Sequence, residues 1–227
     1  MIATTWLLGV GGALLAACLA GPTYLWVEVG KLENPSYEVV EILKAGKFEV
    51  ELRYYPEYLI AESTVMGNMK QGTSRGFRNV AGYIFGNNSA RGQGDEAQTI
   101  AMTTPVRTEQ PRKEVVAMTT PVRTELSKVA SEMKVSFVMP KKYTQKTLPK
   151  PNSKDVKIKS VTAHRMVAIQ FRGKSPDETK IEEMSQRLFQ VLEREGMSPK
   201  GDLMIYQYHP PFMPGFMRRN EVAVRVA

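Results

Sequence analysis

The chain of 227 residues has a single cysteine, Cys18, so it can form no intrachain disulfide, and the region after Cys18 has no thiol chemistry. It has only two histidines, His164 and His209. His-x-x-x-His does not occur, and the two histidines lie far apart in the sequence. The expectation is therefore a non-enzymatic protein with no catalytic residues. Charge is missing from Ile2 to Val27, and the first thirty residues carry only Glu28. Acid is in short supply elsewhere, with 31 Lys and Arg against 23 Asp and Glu, a net charge of +8. That balance favours anionic partners: phosphate, anionic lipid or a carboxylate-bearing ligand. The basic residues are scattered rather than gathered into a stripe with interleaved aromatics, so nucleic acid is not expected as a partner.

The uncharged leader is long enough to cross a bilayer as a helix. Trp6 and Trp26 bracket roughly 30 Å of such a helix, with an aromatic at each interface. It lacks the basic start of a secretory signal. Leu15–Cys18, "LAAC", has the shape of a lipoprotein cleavage box, so lipidation at Cys18 is the rival reading. The expected organisation is an anchor or signal over residues 1–27, a linker over 28–36 and one domain over 37–227. Lys31, Lys44 and Lys47 follow the apolar run, which places the body on the cytoplasmic side of a membrane.

Alternation and turn residues mark strands at Tyr37–Lys44, Lys47–Tyr55 and Tyr58–Met66. Phe77, Val80, Ala81 and Ile84 recur at helical spacing within Thr73–Phe85. Thr73 or Ser74 would cap that helix and Gly86 would end it. Further strands are expected at Met133–Pro140, at "VKIKSV" and at His164–Gly173. A second helix begins at the capping box Ser175-Pro176-Asp177-Glu178. It buries Ile181, Met184, Leu188, Val191 and Leu192, and stops at Gly196. Strands Leu203–Tyr208 and Glu221–Val226 close the chain. The fold class is α+β, with two pseudo-symmetric halves, each a sheet covered by one helix.

Nine residues, "AMTTPVRTE", occur at Ala101–Glu109 and again at Ala117–Glu125. As a strand, Met102, Thr104, Val106 and Thr108 share one face. Pro105 cannot donate a ladder hydrogen bond, which suits a sheet edge or a bulge. The expectation is a duplicated edge hairpin turning at Gln110–Val116. The other reading is a ribbon whose Met and Val side chains wall a ligand cleft.

Several blocks in order resemble the SOUL-type haem-binding family: "ELRYYPEYLIAE", "IAMTTPV", "VSFVMPKKYTQKTLPKPN", "VAIQFRGKSPDE" and the terminal "YHPPFMPGFMRRNEVAVRV". The resemblance covers everything but the leader. It implies two β-α-β-like halves forming a distorted antiparallel barrel with two main helices, to which the leader adds an N-terminal apolar helix. With the leader as a membrane tether, the expected protein is a monomer that buffers or carries haem or a related tetrapyrrole, which the resemblance places in a shallow apolar cleft. The cleft would lie between the first helix (Phe77, Val80, Ala81, Ile84) and the last interstrand loop (Pro210, Pro211, Phe212, Met213, Phe216). Arg75 and Arg78 would form a basic rim, since a porphyrin is a flat apolar plate with two carboxylates on one edge. Arg218 and Arg219 would meet propionates or else pair with Glu221. An axial metal ligand is left open, with His209, Met102, Met118 and Met213 as candidates and His164 read as structural. The alternatives are a ligand-sensing, effector-binding-like or scaffold domain for apolar anions, and a tetrapyrrole-modifying enzyme.

Overall fold

The computed structural model describes residues 32–91, 96–111 and 131–227. The apolar leader and the second copy of the nine-residue repeat, with Met118, lie outside the described residues. Among the described residues, no helix is long and apolar enough to cross a membrane. The elements in order are β1 (Glu38–Ala45), β2 (Phe48–Tyr55), β3 (Tyr58–Gly67), α1 (Met69–Ile84), β4 (Asn88–Ser89), β5 (Val106–Gln110), β6 (Ser131–Val138), β7 (Lys150–Pro151), β8 (Lys157–Val161), β9 (His164–Arg172), α2 (Glu178–Arg194), β10 (Pro199–Gln207), a single 3-10 turn at Gly215–Met217, and β11 (Arg219–Val226).

Nine strands form one antiparallel sheet in the order β1-β2-β9-β11-β10-β5-β6-β3-β8. The two expected halves are visible in that order. In one half, β3 leads through α1 to β5 and β6, and β6 lies between β3 and β5. In the other, β9 leads through α2 to β10 and β11, and β11 lies between β9 and β10. The halves meet where β5 pairs with β10. The flanking strands are exchanged. β2 runs into β3 through Pro56-Glu57 yet pairs with β9, while β8 runs into β9 through Thr162-Ala163 yet pairs with β3. The sheet is α+β as expected, but it is not closed into a barrel, because β1 and β8 remain edges.

Strand registers place both helices on one face. There Leu43, Val50, Val167, Ile169, Ile205, Val222 and Val224 pack under Ile181, Met184, Leu188, Val191 and Leu192 of α2. Ala61, Phe137, Val80 and Ile84 pack in a second cluster under α1. The helix starts differ from the sequence reading. Asn68, not Thr73 or Ser74, caps α1, its Oδ1 accepting from Gln71 N at 2.9 Å. Asp177 caps α2, accepting from Lys180 N at 2.8 Å, while Ser175 serves another residue. One extra turn at the start of α1 carries Gly72, and Gly72 and Gly76 are both buried against β6. A Cβ on Gly76 would lie 2.5 Å from Val135 Cγ2, so this helix sits closer to the sheet than any larger residue permits.

The first copy of the repeat is also not an edge. β5 is paired on both sides, by β6 and by β10. Pro105 precedes the strand rather than interrupting it, so the missing donor costs no ladder bond. Thr103 Oγ1 donates to Val138 O at 2.5 Å, and Thr104 N donates to Glu33 O at 3.1 Å, fixing the loop before β5 against the end of β6 and against residue 33.

Candidate functional site

The loop between β10 and β11 is held from beneath and apolar above. Arg218, 8% exposed, donates from Nε to Met213 O at 2.6 Å, from Nη1 to Ser175 Oγ at 3.3 Å, and from Nη2 to Pro211 O. Met213 is 1% exposed and plugs the loop underneath. Backbone bonds from Met213 N to Pro210 O and from Met217 N to Pro214 O tighten it further. Pro211 is exposed and Pro210 half-buried. Above this frame Phe212 is 69% and Phe216 75% exposed. Two bare phenyl rings on a braced loop form an apolar surface that folding itself does not need.

The proposed helix stripe has a different fate. Val80, Ala81 and Ile84 are buried in the core under α1. Phe77 is half-buried, its ring 5.5 Å from that of Phe137. Phe137 pairs with Val106, and Val106 pairs with Gln207 at the entrance to the loop. Phe77 and the loop therefore flank the same end of the sheet, with β5 between them. Arg75 and Arg78 are exposed and have no carboxylate partner among the described residues. Nearer the loop, Arg172 donates to Phe216 O at 3.3 Å, and Lys174 lies against Gly215. The cue for this basic pair was "FRGKSP", residues 171–176, which spans the end of strand β9 and the turn after it.

Arg218 and Arg219 are both committed inside the protein. Arg219 donates from Nε to Glu221 Oε1 at 2.9 Å and lies 4.5 Å from the Tyr208 ring centroid. His209 is half-buried, and its Nδ1 accepts from Arg219 N at 3.1 Å. Burial, and then the charges of Arg219, Arg172 and Arg218, lower its pKa below 6.5 and keep the ring neutral. With Nδ1 accepting, the proton sits on Nε2, which leaves no free lone pair for an iron. Met102 is half-buried against the α1 core cluster, and Met213 is buried.

The helix-free face was not foreseen. It holds Arg53, Tyr55, Arg107, Met166, Ala168, Met204, Tyr206 and Glu221, all buried although neither α1 nor α2 covers them. Arg53 meets Glu221 as a fork, with Nη1 to Oε2 at 2.7 Å and Nη2 to Oε1 at 2.8 Å. Burial alone would raise the Glu221 pKa, but hydrogen bonds and charge from Arg53 and Arg219 outweigh it and hold the carboxylate below its ordinary value. Tyr208 Oη donates to Glu221 Oε2 at 2.9 Å. At the exchanged strand links Tyr55 stacks on His164, with centroids 5.5 Å apart and planes 6° apart, which gives His164 the structural place expected of it. The available signal was charge at alternate strand positions, such as Glu51 and Arg53 or Glu221 and Arg225.

The SOUL heme-binding protein family matches residues 32–225. The chain belongs to that family. No curated protein sequence matches it. Among solved structures it is similar to the C-terminal domain of EcmrR, with a TM-score of 0.54 and 11% identity over 80% of this chain and 99% of that one. An uncharacterized conserved protein from Listeria innocua gives a TM-score of 0.54 at 11% identity, covering 78% and 92% of the two chains. A protein titled a hydrolase, also from Listeria innocua, gives 0.51 at 11% identity over 78% and 91%. At such identities the likeness concerns the fold. For this SOUL family member the braced loop and the end of the sheet beside Phe77 form the candidate surface.

Proposed function

We propose that this protein binds haem or a related tetrapyrrole without transforming it, and that residues 1–27 hold it at a membrane where it buffers or carries the macrocycle. The observation that supports this reading is the pair of exposed rings, Phe212 and Phe216, on a loop fixed by Arg218 in a family named for haem binding. A flat apolar plate would rest on Phe212 and Phe216 and extend toward Phe77. Its propionates would meet Arg172 and Lys174, with Arg75 and Arg78 as the more distant rim. Because Val80, Ala81 and Ile84 are core residues, they would support Phe77 rather than touch the ligand.

The test is a haemin titration of the full chain followed at the Soret band. The wild type should give a saturable one-to-one shift. Phe212→Ser combined with Phe216→Ser should weaken binding at least about tenfold, since each buried ring contributes roughly 1.5–3 kcal/mol. His209→Ala should leave the spectrum unchanged. A doubly substituted protein that binds haemin as tightly as wild type would refute the site.

A further inference from the structure

Buried N–H and ring nitrogen atoms on the helix-free face have no partners among the described residues: Arg107 Nε and Nη1, Arg225 Nε and His164 Nε2. Arg107 belongs to the repeated nine-residue motif and is 2% exposed. Its Nη2 donates to Glu109 Oε2 at 2.8 Å, and the Tyr58 hydroxyl is a further hydrogen-bonding neighbour of the guanidinium, while Nε and Nη1 have no partner among the described residues. His164 Nδ1 lies 2.8 Å from Thr162 O, and a carbonyl can only accept. The ring proton is therefore on Nδ1, and Nε2 is a bare acceptor. The three side chains are electrostatic neighbours: burial first, and then Arg225 and Arg107, lower the His164 pKa. Charge is unbalanced here as well. Glu109 answers Arg107 and Glu62 answers Lys159, while Arg225 pairs with no carboxylate among the described residues.

Each buried donor left without a partner costs about 1–3 kcal/mol, so a cluster of them calls for an occupant. The occupant must accept from two guanidinium groups and carry about one negative charge. Tyr58, whose ring centroid is 6.0 Å from that of His164, is the wall this cluster shares with a cavity of about 650 Å³. The cavity is also lined by Glu33, Thr103, Val138, Lys141 and Tyr143, and its volume suits an organic molecule.

We propose that the helix-free face binds a small organic carboxylate, with its body in the cavity at Tyr58 and its carboxylate accepting hydrogen bonds from Arg107 and Arg225. This site is separate from the Phe212–Phe216 surface and does not depend on the tetrapyrrole reading. The two histidines make it readable: ¹⁵N-histidine spectra of the full chain in detergent micelles contain one ring from each region. Adding 2-naphthoate should shift the His164 ring saturably and leave His209 in place. Neutral 2-naphthamide should do neither. Arg107→Lys keeps the charge but loses the fork, and Arg225→Gln removes the unpaired cation at a half-buried position; each should weaken naphthoate binding about tenfold. If His164 does not respond to naphthoate, responds equally to naphthamide, or responds unchanged in both variants, the cluster holds water alone and the proposal is wrong.

Discussion

The two faces of the sheet are built on opposite terms. The helix-covered face is aliphatic and gains stability by excluding water under α1 and α2. The other face buries Arg53, Arg107 and Glu221, whose desolvation must be offset by geometry: the bidentate Arg53–Glu221 fork, the Arg219 contact and the Tyr208 hydroxyl. Apolar packing tolerates modest change in volume, whereas a paired buried charge tolerates no loss of its partner. The difference teaches that the face with less apolar packing is the more brittle one.

The sharpest way to break this contrast is Arg53→Met. It removes the fork and leaves Glu221 buried with Arg219 alone, so unfolding stability should fall by about 3–5 kcal/mol. Adding Glu221→Leu should recover part of the loss in a urea melt. A single-variant loss below about 1 kcal/mol would show that the fork is not a structural requirement. On the other face, Gly76→Ala forces a methyl group toward Val135 and should cost about 1–3 kcal/mol despite the better helix propensity of alanine. Combining it with Val135→Ala should relieve the clash, and no relief would show that Gly76 is not a steric contact.

A smaller effect follows from pH. Burial is the largest cause lowering the pKa of both His164 and His209 below 6.5, so the folded protein resists protonation that the unfolded chain accepts. Their contribution is fully present above pH 6.5 and declines as pH falls through 6.5 toward the lower folded values. The urea midpoint should drop between pH 7 and 5.5. His164→Phe should flatten part of that slope. Glu221, with its lowered pKa, stabilises the fold above its ordinary value of 4.5 and loses this effect only as pH falls further.

The same contrast explains what the sequence made legible. The α2 stripe, Ile181 to Leu192, was readable because its apolar residues recur at helical spacing and all face one core. The true start of α1 was hidden because Gly72 carries no hydropathy signal, although close packing against Met133 is what requires it. The first copy of the repeat reads as an edge because of its proline, while the strand begins just after Pro105 and is paired on both sides. The fork partner of Arg53, Glu221, comes from a strand distant in sequence, which periodicity cannot identify. In the site, Phe212 and Phe216 stood out as apolar residues in a proline-rich loop. For Arg218 and Arg219 the sequence left propionates and Glu221 both open; the fold pairs Arg219 with Glu221 and gives Arg218 the loop carbonyls, which no sequence pattern marks.

The central claim is where the macrocycle sits. Methionine methyl spectra test it directly, because ferric haem is paramagnetic and broadens nearby signals. Met217 lies in the braced loop, while Met166 and Met204 lie on the helix-free face. On titration with haemin, the Met217 methyl should broaden first and Met166 and Met204 should stay sharp. Broadening of Met166 and Met204 with Met217 unaffected would contradict the account.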